Sequence, residues 1–588
     1  MNEPAISHDI DLDACLRAPV HLSGAIQPHG YLVSCSRADW RIRHVSANVE
    51  ALFGLPADAL LGLPLSEFVE EDVLSQVSDV VAATVPGDAT AQRACTANVG
   101  ALMTICDVTA HAVDGLLHLE FEPQPGRSDT LTPTTIAQRM VAQLGHADDT
   151  PGFFRQVARQ VQRLSGYDRV MVYRFREDDS GEVIAEVVPG DMEPYLGLRY
   201  PATDIPPPAR ALYLRNRIRI IPDASYQPVP LLPPLDADGA PLDLSQHVLR
   251  SVAPVHLEYL RNMGVAASMS ISIISGGRLW GLIACHNREP RLVPASARAA
   301  ADLFGMFVSM RVAAREQELT MERFDRAQHL RDALVQRLAR ARDFDLALAE
   351  QLGLVSDVLD SNGAGLSIGG SWHATGRAPA SRDPEPLLAW AARQDAGDVL
   401  ASDTAANWNT PALAAPGLAG VLAINLGAPR DWLFLFRVEQ VESVSWAGQP
   451  HKAVAATDDG RCIAPRKSFT TWRETVSGRS QPWTASDLRG AGRLHRVLRE
   501  QRGRARAAAR DLQDIDILYQ RQKLQDQKLR LDGMASLLEG MFHLDAVETA
   551  SIGARIEALE ADLRRLMHRT EPLPPRFPGD GEREAAVV

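Results

Sequence analysis

The sequence Arg-Tyr-Pro-Ala-Thr-Asp-Ile-Pro-Pro-Pro-Ala-Arg-Ala-Leu-Tyr occupies residues 199–213 of this 588-residue chain. Its prolines stiffen the backbone on one side of Asp204, because the proline ring fixes φ and leaves no N–H to donate. Such rigidity suits a fixed carboxylate or backbone carbonyl at a binding site. The residues alone leave a second interpretation open, a structural turn in which Asp204 caps the following helix.

This stretch falls within the second of three predicted α+β domains. Strand-like runs of the second domain lie at residues 169–175, 182–188, 268–274 and 279–285, with helices before and after them. The proline-rich residues 222–242 are predicted to form a surface loop, since proline can continue neither a sheet nor a helix.

Similar runs on either side predict the other two domains. The first unit covers residues 31–122, and the prolines from Pro123 onward begin a linker. The third unit covers about 350–500 and includes the apolar strand 432–438 and a long polar excursion from Trp446 to Trp483.

Long helices are predicted after the second and third domains. No proline occurs between Pro294 and Pro379, so up to about 55 residues of helix could form a spine that pairs with a second copy. Residues 511–543 and 549–568 are predicted to form a helical hairpin, which would give a four-helix bundle in a dimer. Its partial heptad seam consists of Ile517, Leu524, Leu531 and Leu538, with Gln520 and Gln527 between them.

Composition and charge exclude several classes of protein. The chain is 45% hydrophobic and 23% charged with a formal net charge of −13, which excludes a disordered chain and argues against nucleic-acid or anionic-membrane binding. The six cysteines are scattered without a clustered histidine, so we expect no metal site, no disulfide scaffold and mostly buried, reduced thiols. No signal peptide or membrane span is visible, and a cytoplasmic protein is expected.

Some side chains suggest ligand chemistry. Cys15 precedes the first domain and could be a nucleophile on a flexible arm, although an inert thiol is the alternative. Arg219 and Arg250 could bind a ligand with two carboxylates, with Ser268 and Ser270 as hydroxyl donors. His256 and His286, taken singly, are as readily explained as structural histidines.

Together these segments resemble the bacterial phytochromes. The resemblance covers roughly residues 10–510 and depends on several motifs in family order. They are Cys15 in its arm, Ile-Gln-Pro-His-Gly at 26–30, Tyr-Pro-Ala-Thr-Asp-Ile-Pro at 200–206, His-Leu-Glu-Tyr-Leu-Arg-Asn-Met at 256–263, Trp-Gly-Leu-Ile-Ala-Cys-His at 280–286, Phe-Arg-Val-Glu at 436–439 and Arg-Cys-Ile-Ala-Pro-Arg-Lys-Ser-Phe at 461–469.

The resemblance implies an α+β fold of three tandem sensor domains (PAS, GAF and PHY) joined by long helices and ending in a helical hairpin or coiled coil. The expected domains are an arm and PAS domain at 1–127, a GAF domain at 128–318, a PHY domain at 319–510 with a tongue at about 440–480, a helical output and dimerisation segment at 511–570, and a disordered tail at 571–588.

A linear tetrapyrrole in the second domain is implied as cofactor. By resemblance, Cys15 attaches it, and the carboxylate and backbone carbonyl of Asp204 organise its pyrrole nitrogens. His256 and His286 contact it, and Arg219 and Arg250 hold its propionates. Tyr173, Tyr200 and Tyr259 would form an aromatic wall, and Ile205, Pro206, Ser268 and Ser270 would also contact it. Family members that bind phycobilins carry a cysteine where this chain has Val255, so biliverdin is expected. Ala253 stands where relatives often have a hydroxyl, which puts one propionate hydrogen bond in doubt.

The tongue and the C-terminus carry the expected output. By resemblance, Arg466 pairs with Asp204 in one light state and Ser468 replaces it in the other. No ATP-binding kinase domain is recognisable after Arg510, so the chain is not expected to be an enzyme. One hypothesis is a homodimeric red/far-red photoreceptor that signals to a partner such as a response regulator or kinase. The other is a light-regulated phosphotransfer component, for which His543 and His568 are the candidate acceptors.

Overall fold

The structure of the chain is a computed structural model that describes residues 19–83, 90–100, 102–124, 131–145, 149–394, 397–449, 454–457, 460–463, 469, 471–541 and 546–568. These residues divide into two compact units. The first unit holds the described residues of Met1–Met321 and Glu442–Val476, and the second holds those of Glu322–Val441 and Ser477–Val588.

The strands and helices of the described residues follow in chain order. The strands are β1 (Ala25–Ile26), β2 (Tyr31–Ser36), β3 (Ile42–Ser46), β4 (Gln92–Val99), β5 (Thr104–Val113), β6 (Leu116–Pro123), β7 (Arg169–Phe175), β8 (Gly181–Val187), β9 (Arg199–Tyr200), β10 (Ile218–Ile221), β11 (Val229–Leu232), β12 (Ala267–Ser275), β13 (Arg278–Asn287), β14 (Gly363–Ile368), β15 (Ser371–Gly376), β16 (Val399–Ser402), β17 (Leu418–Ala428), β18 (Asp431–Val438), β19 (Glu442–Ala447), β20 (Val454–Thr457), β21 (Gly460–Ile463) and β22 (Thr471–Val476). The α-helices are α1 (Glu50–Phe53), α2 (Ala57–Leu60), α3 (Glu71–Ala83), α4 (Pro133–Ala142), α5 (Thr150–Ser165), α6 (Pro207–Arg215), α7 (Pro254–Asn262), α8 (Ala295–Ala339), α9 (Phe344–Glu350), α10 (Leu352–Val358), α11 (Glu385–Ala392), α12 (Ala485–Met541) and α13 (Ala546–His568).

The first sheet has the strand order β1-β11-β3-β2-β6-β5-β4. Alternate residues of its strands face the hydrophobic core, as a period of two requires. Leu117 and Leu119 of β6 are buried in that core with Val73 and Val77 of α3. The intervening residues of β6 therefore lie on the opposite face.

Strand β11 corrects one prediction. Residues 222–242 are not simply a surface loop, because Val229–Leu232 lies between β1 and β3 of the first sheet. The prolines of this region do not prevent the pairing, since the N–H of Leu231 donates to the carbonyl of Gly24 at 3.0 Å and the carbonyl of Pro230 accepts from Ala47 at 2.9 Å. The ladder therefore uses groups that proline leaves available.

The second sheet has the strand order β10-β12-β13-β7-β8-β9-β19-β22. One face packs on α5 and on the N-terminal part of α8, where Val157, Val161 and Phe304 are fully buried. The other face carries Met171, Tyr173 and other residues of a smaller cluster. This second face is where the candidate site lies.

The predicted tongue contributes a β-hairpin to the edge of the second sheet. Strand β19 pairs in parallel with β9 through Trp446 and Arg199, and β22 pairs antiparallel with β19. Ala447 is fully buried in the same cluster as Tyr173 and Tyr200. Strands β20 and β21 form a second, separate hairpin of the tongue.

The second unit is built on the antiparallel sheet β15-β14-β18-β17-β16. Leu334 and Leu338 of α8 and Leu494 and Leu498 of α12 are buried in its core. Arg502 of α12 pairs with Asp345 at 2.9 Å and with Asp431 at 2.7 Å. The ion pairs connect α12 both to the helix α9 and to the sheet.

The structure contains both predicted long helices, α8 and α12, but their lengths differ from the predicted ones. Helix α8 has 45 residues and ends at Ala339, short of the predicted maximum, because the Asp343 side chain accepts from the N–H groups of Asp345 and Leu346 and begins α9. Helices α12 and α13 pack against each other as a hairpin and are joined by a Lys528–Glu560 ion pair. Among the described helices, none is long and apolar enough to cross a membrane.

Candidate functional site

A cavity of about 410 Å³ opens on the second sheet of the first unit. It lies within the size range of small-molecule sites. Twelve of the predicted binding residues line it: Tyr173, Tyr200, Asp204, Ile205, Pro206, Arg219, Arg250, His256, Tyr259, Ser268, Ser270 and His286. Cys15, Arg466 and Ser468 lie outside the described residues. The cavity brings the twelve together, and their roles toward a ligand stay predictions.

Asp204 ends a 3₁₀ turn, Ala202–Asp204, at one side of the cavity. The Tyr259 hydroxyl donates to Asp204 Oδ2 at 3.0 Å. Burial and the neighbouring Asp204 carboxylate raise the pKa of Tyr259 well above its ordinary value, so the phenol stays protonated. The His256 ring stacks on Tyr259 with centroids 6.0 Å apart. One carboxylate, one phenol and one imidazole therefore form a single polar group at this wall.

Arg210 holds the turn in place and was not singled out from the sequence. Its Nε donates to the carbonyl of Ile205 at 2.8 Å, and its Nη2 donates to the carbonyl of Ala202 at 3.2 Å. The two hydrogen bonds therefore hold the backbone before and after Asp204. The only sequence signal for this role is that Arg210 lies in the 199–213 stretch.

Arg219 and Arg250 occupy another part of the cavity wall. Arg219 donates to the carbonyls of Val248, at 2.9 Å, and Arg250, and Arg250 donates to the carbonyl of Val20 at 2.9 Å. Neither guanidinium has a carboxylate within 4.0 Å among the described residues. Burial, together with the charge of Arg219, lowers the pKa of Arg250 to about 9. Two buried cations without an anionic partner favour an anionic ligand.

The strand register places the hydroxyl donors beside these charged and aromatic groups. Ser270 lies directly opposite Arg219 in the β10–β12 pair, and Ser268 lies opposite His286 in the β12–β13 pair. His286 Nδ1 is buried without a hydrogen-bond partner in the described structure, and burial lowers the pKa of His286 to about 3. The imidazole is therefore neutral, with one buried nitrogen left for a ligand.

Tyr173 and Tyr200 form the aromatic wall. Their ring centroids are 5.8 Å apart with the planes tilted by 58°. The Tyr200 hydroxyl is buried without a partner within the described part of the chain, and burial raises its pKa well above the ordinary value. A neutral phenol in this position can donate one hydrogen bond into the cavity.

The tongue contacts this site directly. The Phe469 ring meets Tyr259 edge-to-face with centroids 5.1 Å apart. Tyr259 also donates to Asp204, so one aromatic side chain connects the tongue to the carboxylate. Phe469 is the last residue of the predicted tongue motif, but no sequence pattern indicated this particular contact.

The candidate phosphate acceptors are the remaining predicted residues. His543 lies outside the described residues, and His568 is the last residue of α13. Four of the six cysteines, Cys35, Cys95, Cys106 and Cys285, are buried, as predicted, and have free thiols in the described structure; their redox state stays a prediction.

Three family models match consecutive parts of the chain. The PAS fold model matches residues 15–124, the GAF domain model matches 149–312, and the model described as the phytochrome region matches 327–507. The matches contain no kinase domain. Their order is the order that the sequence motifs predicted.

Relatives and solved structures agree with these matches. A bacteriophytochrome of Pseudomonas aeruginosa is 38% identical over 84% of this chain and 67% of its own length, and one of Xanthomonas campestris is 36% identical over 84% and 79%. The crystal structure of a bacteriophytochrome from R. palustris matches with a TM-score of 0.70 at 33% identity, covering 83% of this chain and 99% of that one. The photosensory core of the Stigmatella aurantiaca phytochrome matches with a TM-score of 0.69 at 37% identity, over 84% and 99%. The chain therefore belongs to the phytochrome family of photoreceptors.

Proposed function

We propose that this chain is a red/far-red photoreceptor that binds biliverdin covalently through Cys15 and signals through its C-terminal helices. The observation that carries the proposal is the pair of buried guanidinium groups, Arg219 and Arg250, which face one cavity without a carboxylate partner in the described structure. A bilin has two propionates, and arginine forks match carboxylates in geometry and charge.

The remaining walls fit the body of a linear tetrapyrrole. When bound, the bilin supplies light absorption and the double-bond isomerisation that follows. Tyr173 and Tyr200 give a compact aromatic surface beside it. The buried Tyr200 hydroxyl and His286 Nδ1, which lack partners in the described residues, would gain hydrogen bonds from polar groups of the ligand.

Asp204 and His256 are the residues that we assign to proton control. A protonated tetrapyrrole carries a positive charge, which a nearby carboxylate or carbonyl stabilises. Arg210 fixes the turn that carries Asp204, and Tyr259 orients its carboxylate. The chain therefore offers a rigid acceptor rather than a mobile one.

The position of Val20 supports attachment at Cys15. Val20 lines the cavity, and its carbonyl accepts from Arg250. Five residues of extended chain span at most about 18 Å, so Cys15 is within that distance of the cavity wall. Val255, which also lines the cavity, has no thiol to compete for the bilin.

The tongue is the proposed route from the cavity to the output helices. Arg466 would pair with Asp204 in one light state and Ser468 would replace it in the other, so that the tongue changes conformation. The Tyr259–Phe469 contact supports this route because it couples the tongue to Asp204 without either of those residues. The receiver would be a partner protein such as a response regulator or a kinase.

The test is to add biliverdin to the full chain and record absorption in darkness and after red light. We expect a red-absorbing and a far-red-absorbing form that interconvert reversibly under light, whichever of the two is present in darkness. On a denaturing gel, zinc-induced bilin fluorescence should follow the protein band and disappear in Cys15→Ala. Cys462→Ala is the matched control and should keep the fluorescence.

Two results would contradict the proposal. Absence of light-dependent conversion in the bilin-loaded protein would exclude the photoreceptor function. Fluorescence of the Cys15→Ala band at wild-type strength would exclude the attachment site while leaving the photoreceptor function intact.

A further inference from the structure

Three histidines from distant positions meet in the first unit, away from the bilin cavity. His111 lies on β5, His118 on β6, and His247 on the segment between β11 and α7. The sequence predicted no metal site because its six cysteines are scattered and have no clustered histidine partner. A site made of histidines alone was not predicted, and tertiary contacts bring three of them together.

The strand register explains two of the three positions. His111 and His118 are directly opposite in the β5–β6 pair, and His118 is directly opposite Ser34 in the β6–β2 pair. Opposed residues of antiparallel strands share a face. Because Leu117 and Leu119 face the hydrophobic core, His118 and its neighbours point to the other face of the sheet. His247 covers them from the second domain.

The three rings are close and enclosed. Their centroids are 4.8 Å apart for His111–His118, 4.5 Å for His111–His247 and 4.7 Å for His118–His247. One ring nitrogen from each lies within 4.8 Å of the other two. The exposed fractions are 3%, 1% and 0%, so bulk solvent does not hydrate these rings.

Five ring nitrogens of this cluster are buried without a hydrogen-bond partner within the described structure. They are both nitrogens of His111, both nitrogens of His247 and Nε2 of His118. Buried polar atoms in folded proteins almost always have a partner. A single imidazole in this state would be unusual, and three facing one another indicate a missing shared ligand.

We propose that His111, His118 and His247 bind a divalent transition-metal ion, with zinc as the reference ion. Imidazole nitrogen is a preferred zinc ligand, and three histidines leave the fourth tetrahedral position for water or another small ligand. Metal–nitrogen bonds near 2.0 Å place tetrahedral ligands about 3.3 Å apart, so modest ring rotations complete the site.

Ser34 contacts the second ring nitrogen of His118, as expected for a histidine that binds a metal through its other nitrogen. Its Oγ is 2.8 Å from His118 Nδ1. If Nδ1–H donates to Ser34, the lone pair of Nε2 is left to face the ion, and such a second contact commonly fixes the tautomer of a metal-bound histidine. On the other side of Ser34, in the β2–β3 pair, lies His44. Its Nδ1 already contacts the carbonyl of Pro233 at 3.1 Å. His44 is therefore a control and not a ligand.

The ion would hold together two parts of the first unit. His111 and His118 belong to the first sheet, whereas His247 immediately precedes the residues that support the bilin cavity. The carbonyls of Val248 and Arg250 both accept from Arg219. Metal binding would thus stiffen the segment that positions this guanidinium, but the site itself does not depend on the proposed photoreceptor function.

The first experiment measures metal content. The untagged full chain is stripped with a chelator, incubated with excess zinc, desalted, and analysed by plasma mass spectrometry. We expect wild type and His44→Gln to retain one zinc per chain more than His118→Gln and His247→Gln. In the same samples, zinc should raise the thermal midpoint of wild type and His44→Gln and leave that of the two ligand variants unchanged.

The second experiment does not depend on any variant that might misfold. The zinc-edge X-ray absorption spectrum of the wild-type protein should show nitrogen neighbours near 2.0 Å with the outer-shell pattern of imidazole. Failure of wild type to retain zinc, full retention in both ligand variants, or a spectrum dominated by sulfur would each overturn the proposal.

Discussion

Arg219 and Arg250 show how single side chains can be prepared for a ligand at some cost to the empty protein. Their hydrogen bonds go to backbone carbonyls, which offer partial and not full negative charge. Burial lowers the pKa of both guanidinium groups, which reflects the unfavourable solvation of their charges. A dianionic ligand relieves this penalty, so these residues should contribute more to binding than to folding.

We therefore expect Arg250→Met to weaken biliverdin binding about 10- to 100-fold, the equivalent of one charge-assisted hydrogen bond. The variant should not destabilise the bilin-free protein, because it removes an unpaired buried charge. The measurement is a fluorescence-quenching titration in a Cys15→Ala background, where binding is non-covalent.

Biliverdin dimethyl ester is the matched control for this charge effect. It lacks both carboxylate charges and should bind wild type and Arg250→Met with similar affinity. An equal loss of affinity for the acid and the ester would show that Arg250 acts through cavity shape and not through charge.

Some side chains of the candidate sites could be predicted from the sequence and others could not. The twelve cavity residues were predictable because family motifs keep most of them in short, recognisable runs. Arg210 and the three histidines were not, because nothing local marks them. His247 is far from His111 and His118 in sequence, and only strand register and domain packing bring the three rings together.

Among the described elements, the tongue hairpin β19–β22 extends the second sheet beyond β9. Strand β19 is bridged to β9 by one residue pair, Trp446 and Arg199, and Phe469 adds the contact to Tyr259. A hairpin bridged to a sheet by one residue pair separates from it at a lower free energy than a strand paired along its whole length. The tongue is therefore suited to change conformation without unfolding the sheet beneath it.

Phe469→Ala should make the tongue open more often. An aromatic pair contributes about 0.5–1.5 kcal/mol beyond its buried area, so amide exchange in β19 and β22 should accelerate roughly two- to tenfold. Hydrogen–deuterium exchange with mass spectrometry measures this, with β12 and β13 as internal references. Trp472→Ala removes a half-exposed aromatic of the same hairpin and should change exchange less. Equal acceleration in both variants would argue against a specific Tyr259 contact.

Helix α12 presents two different faces. Ile517, Leu524 and Leu531 of the predicted heptad seam are half-buried, whereas Leu512, Ile515 and Tyr519 are more than 60% exposed at spacings of three and four. An exposed apolar stripe of this kind favours association with another helix. A four-helix bundle in a dimer would cover it.

If this stripe forms the contact of the predicted homodimer, replacing Ile515 and Tyr519 together by glutamate should weaken the dimer at least about tenfold, because it places charges in the apolar contact. Light scattering after gel filtration at several concentrations measures the effect. Gln513→Glu with Gln525→Glu adds the same charge at exposed polar positions and should leave the dimer unchanged. Unchanged dimerisation of the first variant would place the interface elsewhere.

Strand β11 is an element that the local sequence pattern did not predict. It was predicted as loop because the prolines of residues 222–242 disfavour regular structure, yet its four residues pair with strands from the first domain. Proline removes a donor but not an acceptor, and a short strand needs few donors. The partners of β11 lie about two hundred residues earlier in the chain, which no local pattern reveals.

In the molecule as a whole, buried histidines connect stability to pH. Burial lowers the pKa of His29 and His111 to about 4 and that of His286 to about 3. In the unfolded chain these groups titrate near 6.5. Between those values the unfolded chain binds more protons, so stability is present above pH 6.5 and is lost as pH falls.

We expect the thermal midpoint of the metal-free, bilin-free protein to fall steadily from pH 7 to pH 5. Each of these histidines contributes at most about 1.4 kcal/mol per pH unit. Near-ultraviolet circular dichroism measures the midpoint, and His29→Gln should reduce the slope. A midpoint that rises on acidification would show that carboxylates, and not these histidines, control the response.

Most of the overall architecture could be predicted from the sequence. Motifs in family order predicted three sensor domains, and the long proline-free segments predicted helices α8 and α12. The ends of the helices were harder to predict from the sequence, because the end of α8 depends on the capping of α9 by Asp343 and on packing. Where a segment's partner is distant in sequence, as with β11 and His247, only the folded molecule identifies it.

The insertion of β11 into the first sheet has a consequence for biosynthesis. The N-terminal part of a chain emerges from the ribosome first, and domains commonly fold in the order in which they emerge. Here β3 and β1 receive their shared neighbour only after Leu232 has been translated, well into the second domain. The sheet nearest the N-terminus is thus among the later parts of the nascent chain to be completed, and until then the edge of β3 remains open to chaperones or to wrong pairings.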